Sequence, residues 1–165
     1  MPNKVSFFFI TLMILCISCD GHYVFDEYKT VSTQWDKNQE IQFAYPSQDT
    51  INPYNLFINL GNDNSYKFSN LFLIVEMNYP HGKTVTDTLE YKMAEPDGTF
   101  LGSGFTDIKE NKLWYKGYDK PFIFSEKGDY IINIKHAMRE NGQTKGIENL
   151  TGILDIGFRV EKLLQ

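Results

Sequence analysis

Cys19 is the residue best placed in this chain to undergo covalent chemistry. It closes a leader in which Lys4 supplies a positive start, Val5–Ile17 is an uncharged apolar run, and Ser18 puts a small residue before the cysteine. Those are the parts of a secretory signal, and the apolar run is too short to span a bilayer comfortably. A cysteine directly after the small residue gives the pattern of a bacterial lipobox. In that pattern the thiol is alkylated by a diacylglyceryl group, the peptide is cut before Cys19, and the new amino terminus is acylated. One position departs: Cys16 stands three residues before Cys19, where leucine is usual, and Leu15 lies one further out. An ordinary cleaved signal and an uncleaved anchor are the alternatives. The expectation is a lipid-tethered protein with residues 1–18 removed as signal peptide.

The search for other chemistry finds no catalytic site. Gly102-Ser103-Gly104 lacks the outer glycine spacing of a nucleophile elbow and reads as a turn. His22, His81 and His136 are far apart and share no metal-ligand spacing. His136 continues an apolar strand face, so a hydrogen-bonded, partly buried ring is expected there. Asn62-Asp63-Asn64 resembles a calcium loop only superficially, because the closing glutamate is missing. Asp87 with Glu90, and Asp26 with Glu27, are carboxylate pairs of the kind any acidic chain offers, and solvated surface charge is the expectation. The expectation is therefore no enzyme, no metal and no cofactor. One aromatic group could bind a ligand: Trp114, Tyr115 and Tyr118, followed by Pro121-Phe122-Ile123-Phe124. Exposed aromatics on a β-sandwich loop stack on sugars or on partner side chains, and buried ones simply fill a core.

Cleavage before Cys19 removes 18 of the 165 residues and leaves 147, about one domain. Such a domain hides roughly 70% of its unfolded surface, enough for one sizeable core. A hydrophobic fraction of 42% and 15% aromatics argue against disorder. Of 16 basic side chains only Lys4 leaves with the signal, so 15 remain against 21 acidic ones, a net charge of −6. That balance does not suit nucleic acid or anionic headgroups, which are bound through Lys and Arg. Cys16 leaves with the signal and the Cys19 thiol is consumed by lipid, so no disulfide supports the mature fold. Three acyl chains on one residue give a stable anchor, since one chain is marginal and a second makes attachment durable.

The elements that carry these residues have a period of two, the strand signature. Ile41, Phe43 and Tyr45 alternate with Gln42 and Ala44. Leu71, Leu73, Val75, Met77 and Tyr79 oppose Phe72, Ile74, Glu76 and Asn78. Leu89, Tyr91 and Met93 form a third run, and Tyr130, Ile132 and Ile134 a fourth. Leu154, Ile156, Phe158 and Val160 alternate with Asp155, Gly157, Arg159 and Glu161, and are expected to point into the core. Turn signals lie between the runs, among them Tyr79-Pro80-His81-Gly82, Glu95-Pro96-Asp97-Gly98 and Lys127-Gly128-Asp129. The pattern predicts an all-β antiparallel β-sandwich of about seven to nine strands over residues 19–165, after a short N-terminal tether that becomes a first strand. Residues 137–150 are expected as loop with at most one helical turn. Phe72 and Ile74 are large apolar groups on the face that should be wet. Either another part of the chain covers them or they are offered to a partner.

Short motifs are spread across the domain in a fixed order. They include Asn52-Pro53-Tyr54-Asn55-Leu56-Phe57-Ile58, Tyr66-Lys67-Phe68-Ser69-Asn70-Leu71-Phe72-Leu73, Pro80-His81-Gly82 and Asp87-Thr88-Leu89-Glu90. Asp97-Gly98, Gly128-Asp129-Tyr130, His136-Ala137-Met138-Arg139 and Asp155-Ile156-Gly157-Phe158-Arg159-Val160-Glu161 follow. With the lipobox, the series resembles the gliding-motility lipoprotein GldH family of the Bacteroidetes phylum over nearly the whole mature chain. Two places depart from the family pattern. Gly61 stands where an arginine is expected, and the Lys109–Lys120 stretch is divergent. The resemblance implies a non-enzymatic lipoprotein of the cell envelope, expected in the outer membrane, that supports gliding machinery and the associated type IX secretion apparatus through protein contacts. The alternative is a carbohydrate-binding sandwich lipoprotein that uses Trp114, Tyr115 and Tyr118.

Overall fold

In the computed structural model, residues 23–104 and 107–163 are described; the leader and Cys19 lie outside them. The described residues form ten strands and no helix. In chain order these are β1 (Tyr23–Thr30), β2 (Trp35–Asp36), β3 (Ile41–Ser47), β4 (Tyr54–Asn62), β5 (Asn70–Asn78), β6 (Thr84–Lys92), β7 (Lys109–Lys116), β8 (Gly128–His136), β9 (Asn149–Leu150) and β10 (Ile153–Lys162). One four-stranded sheet has the order β1-β10-β4-β7, and a second has β3-β8-β5-β6. Each β2 and β9 contributes two residues to a small separate ladder, so eight long strands make the sandwich.

The pairing is nested. β1 pairs with β10, β2 with β9, β3 with β8, β4 with β7, and β5 with β6, all antiparallel. The chain therefore runs as one long hairpin whose tip is the turn after β5, where the Tyr79 N–H donates to the Lys83 carbonyl at 2.7 Å. Rolling that hairpin up sets β10 beside β4 and β8 beside β5. This is a jelly roll, the double-sheet solution that leaves few strand edges free.

The core lies between the sheets. Leu71, Leu73, Val75 and Met77 enter it from β5, Tyr130, Ile132 and Ile134 from β8, and Leu56, Ile58 and Leu60 from β4. Alternation predicted this phase for β5 and β8, each of which has one fully buried face. It fails once: a bulge at Leu154 shifts the register, so Ile153 and not Leu154 is buried ahead of Ile156, Phe158 and Val160. Residues 137–148 are loop without a helical turn, with the Arg139–Gly146 bridge across a turn closed by the Gln143 N–H on the Glu140 carbonyl at 3.0 Å, and only Asn149–Leu150 beyond them form a strand, β9. β4 carried no alternation because both of its faces are buried. His136 is buried edge-on to Trp35, its ring centroid 5.4 Å away, with Nε2 3.0 Å from the Trp35 carbonyl.

The open side between edge strands β6 and β7 is closed by polar bonds. Asp87 points inward and accepts from the Tyr115 hydroxyl at 3.1 Å and from Lys116 Nζ at 2.7 Å. The Tyr91 hydroxyl donates to the Trp114 carbonyl at 2.6 Å. A charge turned inward on an edge strand discourages pairing with another chain. Asp87 and Glu90 fall on opposite faces of β6, and Glu90 instead accepts from Asn70 at 2.8 Å.

Candidate functional site

The outer face of the β1-β10-β4-β7 sheet is the most structured surface of the molecule. Period two sends Asn59 and Gly61 outward from β4, and Asp155, Gly157, Arg159 and Glu161 outward from β10. β1 adds Asp26 and Tyr28, and β7 adds Glu110, Lys112 and Trp114. The two glycines make the centre low. A Cβ on Gly157 would lie 2.9 Å from the Tyr28 ring and 3.1 Å from Asn59 Cβ. A Cβ on Gly61 would lie 2.8 Å from an Asp155 carboxylate oxygen, so a glycine there leaves room for that carboxylate. Around Gly61 lies a recess of about 210 Å³ lined by Tyr28, Asn59, Glu110, Lys112, Asp155 and Arg159.

These side chains bond to one another. Arg159 donates to Asp26 at 2.7 Å and to Glu161 at 2.6 Å, and Lys112 donates to the same Glu161 oxygen at 2.6 Å. Asn59 Nδ2 reaches the Tyr28 hydroxyl at 2.7 Å and Asp26 at 3.3 Å. Lys112 Nζ lies 4.1 Å from the Phe57 ring centroid, and the Arg159 guanidinium 4.6 Å from that of Tyr23. Burial alone would lower the basicity of Arg159, but the bonds to Glu161 and Asp26 outweigh it and raise its pKa. Burial likewise pushes the Glu161 carboxyl up, and Lys112 and Arg159 overcome that and hold it below the usual carboxylate range. Arg159, Lys112, Asp26 and Glu161 are thus already engaged by one another, which suits a preorganised contact surface. Among the described residues no group of three or more His, Cys, Asp or Glu side chains could hold a metal.

The residues singled out from sequence are dispersed. Trp114 is 39% exposed on this face and Tyr118 77% exposed just beyond β7, whereas Tyr115 points inward at 8%. Trp114 meets Tyr118 edge-on at 5.6 Å and 71°, and Phe57 at 4.4 Å and 50°. The three aromatics do not form one flat exposed platform. Phe72 and Ile74 are half-buried on the outer face of the other sheet. Phe72 is gripped by the segment after β8: its N–H lies 3.1 Å from Met138 Sδ, and its carbonyl accepts from Ala137 at 2.8 Å. Ile74 sits between Thr88 and Lys135. Cys19 lies outside the described residues. The Arg159 network was missed at the sequence level. Its signal was present as two glycines inside strands, which mark a close approach of other groups.

The family description "GldH lipoprotein" matches residues 23–160. The chain is 51% identical over 162 residues to "Gliding motility lipoprotein GldH" of Flavobacterium johnsoniae, covering 98% of this chain and 99% of that protein. It is 49% identical over 156 residues to "Gliding motility lipoprotein GldH homolog" of Christiangramia forsetii, covering 94% of each. Among solved structures, the VP2 subviral particle of infectious bursal disease virus aligns with 88% of this chain and 34% of its own, at 14% identity and a TM-score of 0.32. A second structure of that virus, the Gx strain, gives 0.35. Scores that low carry no weight beside the strand pairing itself. The family match and two near-complete relatives at about half identity place this chain in the GldH lipoprotein family.

Proposed function

We propose that this chain is a non-enzymatic, lipid-anchored protein of the cell envelope that supports gliding motility and the associated type IX secretion machinery by contact with other envelope proteins. The observation that carries the reading is the end-to-end likeness to two gliding-motility lipoproteins. On this reading residues 1–18 are the signal peptide, Cys19 bears the lipid, and residues 19–165 form one domain at the outer membrane. Docking uses the outer sheet faces, with Trp114 on one and Phe72 and Ile74 on the other. Aromatic groups ringed by paired charges are the usual anchors of protein interfaces.

Two experiments test it. Cys19→Ser should stop incorporation of labelled fatty acid and shift the protein to the soluble fraction or block its maturation; unchanged labelling refutes the anchor. Crosslinking in intact cells should recover envelope proteins with the wild type. Phe72→Ser should abolish those crosslinks and the motility or secretion phenotype while leaving melting nearly unchanged. A stable variant that keeps both removes the docking role from this face. A fall of several degrees in melting temperature, the size expected for a few kcal/mol in such a domain, makes Phe72 a packing residue instead.

A further inference from the structure

We propose that one end of the sandwich, carrying Ile51, Tyr118 and Ile123, rests directly on the lipid surface and fixes the orientation of the domain; this rests on the reading of Cys19 as the lipid-bearing residue. The strand register defines the end. Tyr23 pairs with Glu161, Lys162 with Tyr54, and Leu56 with Lys116, so β1 begins where the 48–53 and 117–127 loops emerge. Four peptide steps separate Cys19 from Tyr23. Even fully extended they reach only about 14 Å. A lipid on Cys19 therefore holds this end within contact range of the headgroups, and the domain cannot turn its far end to the membrane.

The side chains at this end suit that neighbour. Ile51 is 81% exposed, and the loop carrying it is held from beneath: the Asp49 carboxylate accepts from the Ile51 N–H at 2.9 Å, the Asn52 N–H at 3.1 Å and the Tyr54 hydroxyl at 2.8 Å. Those bonds, with one from the Asn52 side-chain amide, fix the turn in a shape that leaves Ile51 outside, and they also hold the Asp49 pKa well below the usual carboxylate range, the Asn52 amide contributing most. Gly117 turns the other loop at φ +106°, where a Cβ would meet Asn55 Oδ1 at 2.5 Å, and sends Tyr118 outward. Tyr54 and Phe122 exchange two backbone bonds, tying this loop to the start of β4 beside exposed Ile123. Tyr23 and Trp114 stand nearby on the sheet face, and Tyr and Trp favour the membrane interface because one end of the ring is polar. Charges are interleaved, with Lys120 beside Asp119 and Lys127 between Glu126 and Asp129. The matching lipid surface is therefore zwitterionic, and the contact is apolar.

The mature lipidated chain has no free thiol, so a single introduced cysteine can carry a nitroxide. Labels at Ile51→Cys and Ile123→Cys are compared with labels at Asn64→Cys and Asp97→Cys on the opposite end. Lipidated protein in phosphatidylethanolamine–phosphatidylcholine vesicles is measured against soluble Cys19→Ser protein made without residues 1–18, so that Cys16 is absent from the control as well. At 51 and 123, collision with a water-soluble nickel complex should fall severalfold and collision with oxygen should rise; at 64 and 97 neither should change. Equal accessibility at the two ends on protein shown by mass spectrometry to be acylated at Cys19 overturns the proposal and leaves the anchor standing. A missing acyl mass overturns both. Protection seen only with phosphatidylglycerol vesicles and lost in about 1 M salt assigns the contact to charge and overturns the apolar basis.

Discussion

The two outer faces of the sandwich are built from strands of similar length but end up as different surfaces. On the β1-β10-β4-β7 sheet, glycines at 61 and 157 let long side chains lie flat, so Phe57 and Asn59 are buried although no further layer covers them. On the β3-β8-β5-β6 sheet the outward residues stand up as an open ladder: Gln42 donates to Asn133 at 3.0 Å, Asn78 to Glu76 at 2.9 Å, and Thr84 to Asn78 at 2.6 Å. The difference shows that a sheet face is closed by what is missing from its centre as much as by what is added. An open ladder tolerates change at each rung, whereas a closed face couples its members.

The largest effect should come from the core that both faces share. Phe158, fully buried between the sheets and 6.1 Å from both Phe25 and Phe43, should cost about 3–5 kcal/mol on Phe158→Ala, read from urea denaturation with an unchanged slope. A much smaller loss would mean that the outer faces, not the core, hold the domain together. Next comes the contrast itself. Gly157→Val drives a side chain into Tyr28 and Asn59 and should cost about 1–3 kcal/mol. Thr86→Val, outward and exposed on β6, should stay within about 0.5 kcal/mol. Equal costs at the two positions would erase the distinction between closed and open faces.

Acid should separate the regions by the smallest margin. Burial lowers the His136 pKa, against the opposing bond to the Trp35 carbonyl, so the neutral ring is favoured in the fold. Its stabilisation is complete above the unfolded value of about 6.5 and is lost as pH falls below it. Glu161 is also held below its ordinary value, so its contribution persists above about pH 4.5 and disappears at lower pH. Melting temperature should therefore decline in two stages, and Lys112→Met should weaken the second by less than about 1 kcal/mol, the range of a partly exposed pair. A single decline, unmoved by His136→Gln, would refute the first stage.

Much of this could be read from the chain alone, for a local reason. In β3, β5, β8 and most of β10 one face meets the core and the other meets water, so alternation recorded both the strand and its phase. The turn residues marked where strands end, because they select backbone angles locally. β4 escaped because a strand buried on both faces has no alternation to show, and Leu154 was misplaced because a bulge inserts one residue without changing composition. Trp114, Tyr115 and Tyr118 lie close in sequence, but the strand pleat turns Tyr115 inward and leaves Trp114 outside. The nested pairing joins Tyr23 to Glu161, and with it come the Arg159 network and the gathering of Ile51, Tyr118 and Ile123 at the end where the chain leaves for Cys19. Those features depend on which strands become neighbours once the long hairpin is rolled up. That choice is made by the total burial of two sheets against each other, a quantity no local window of residues contains.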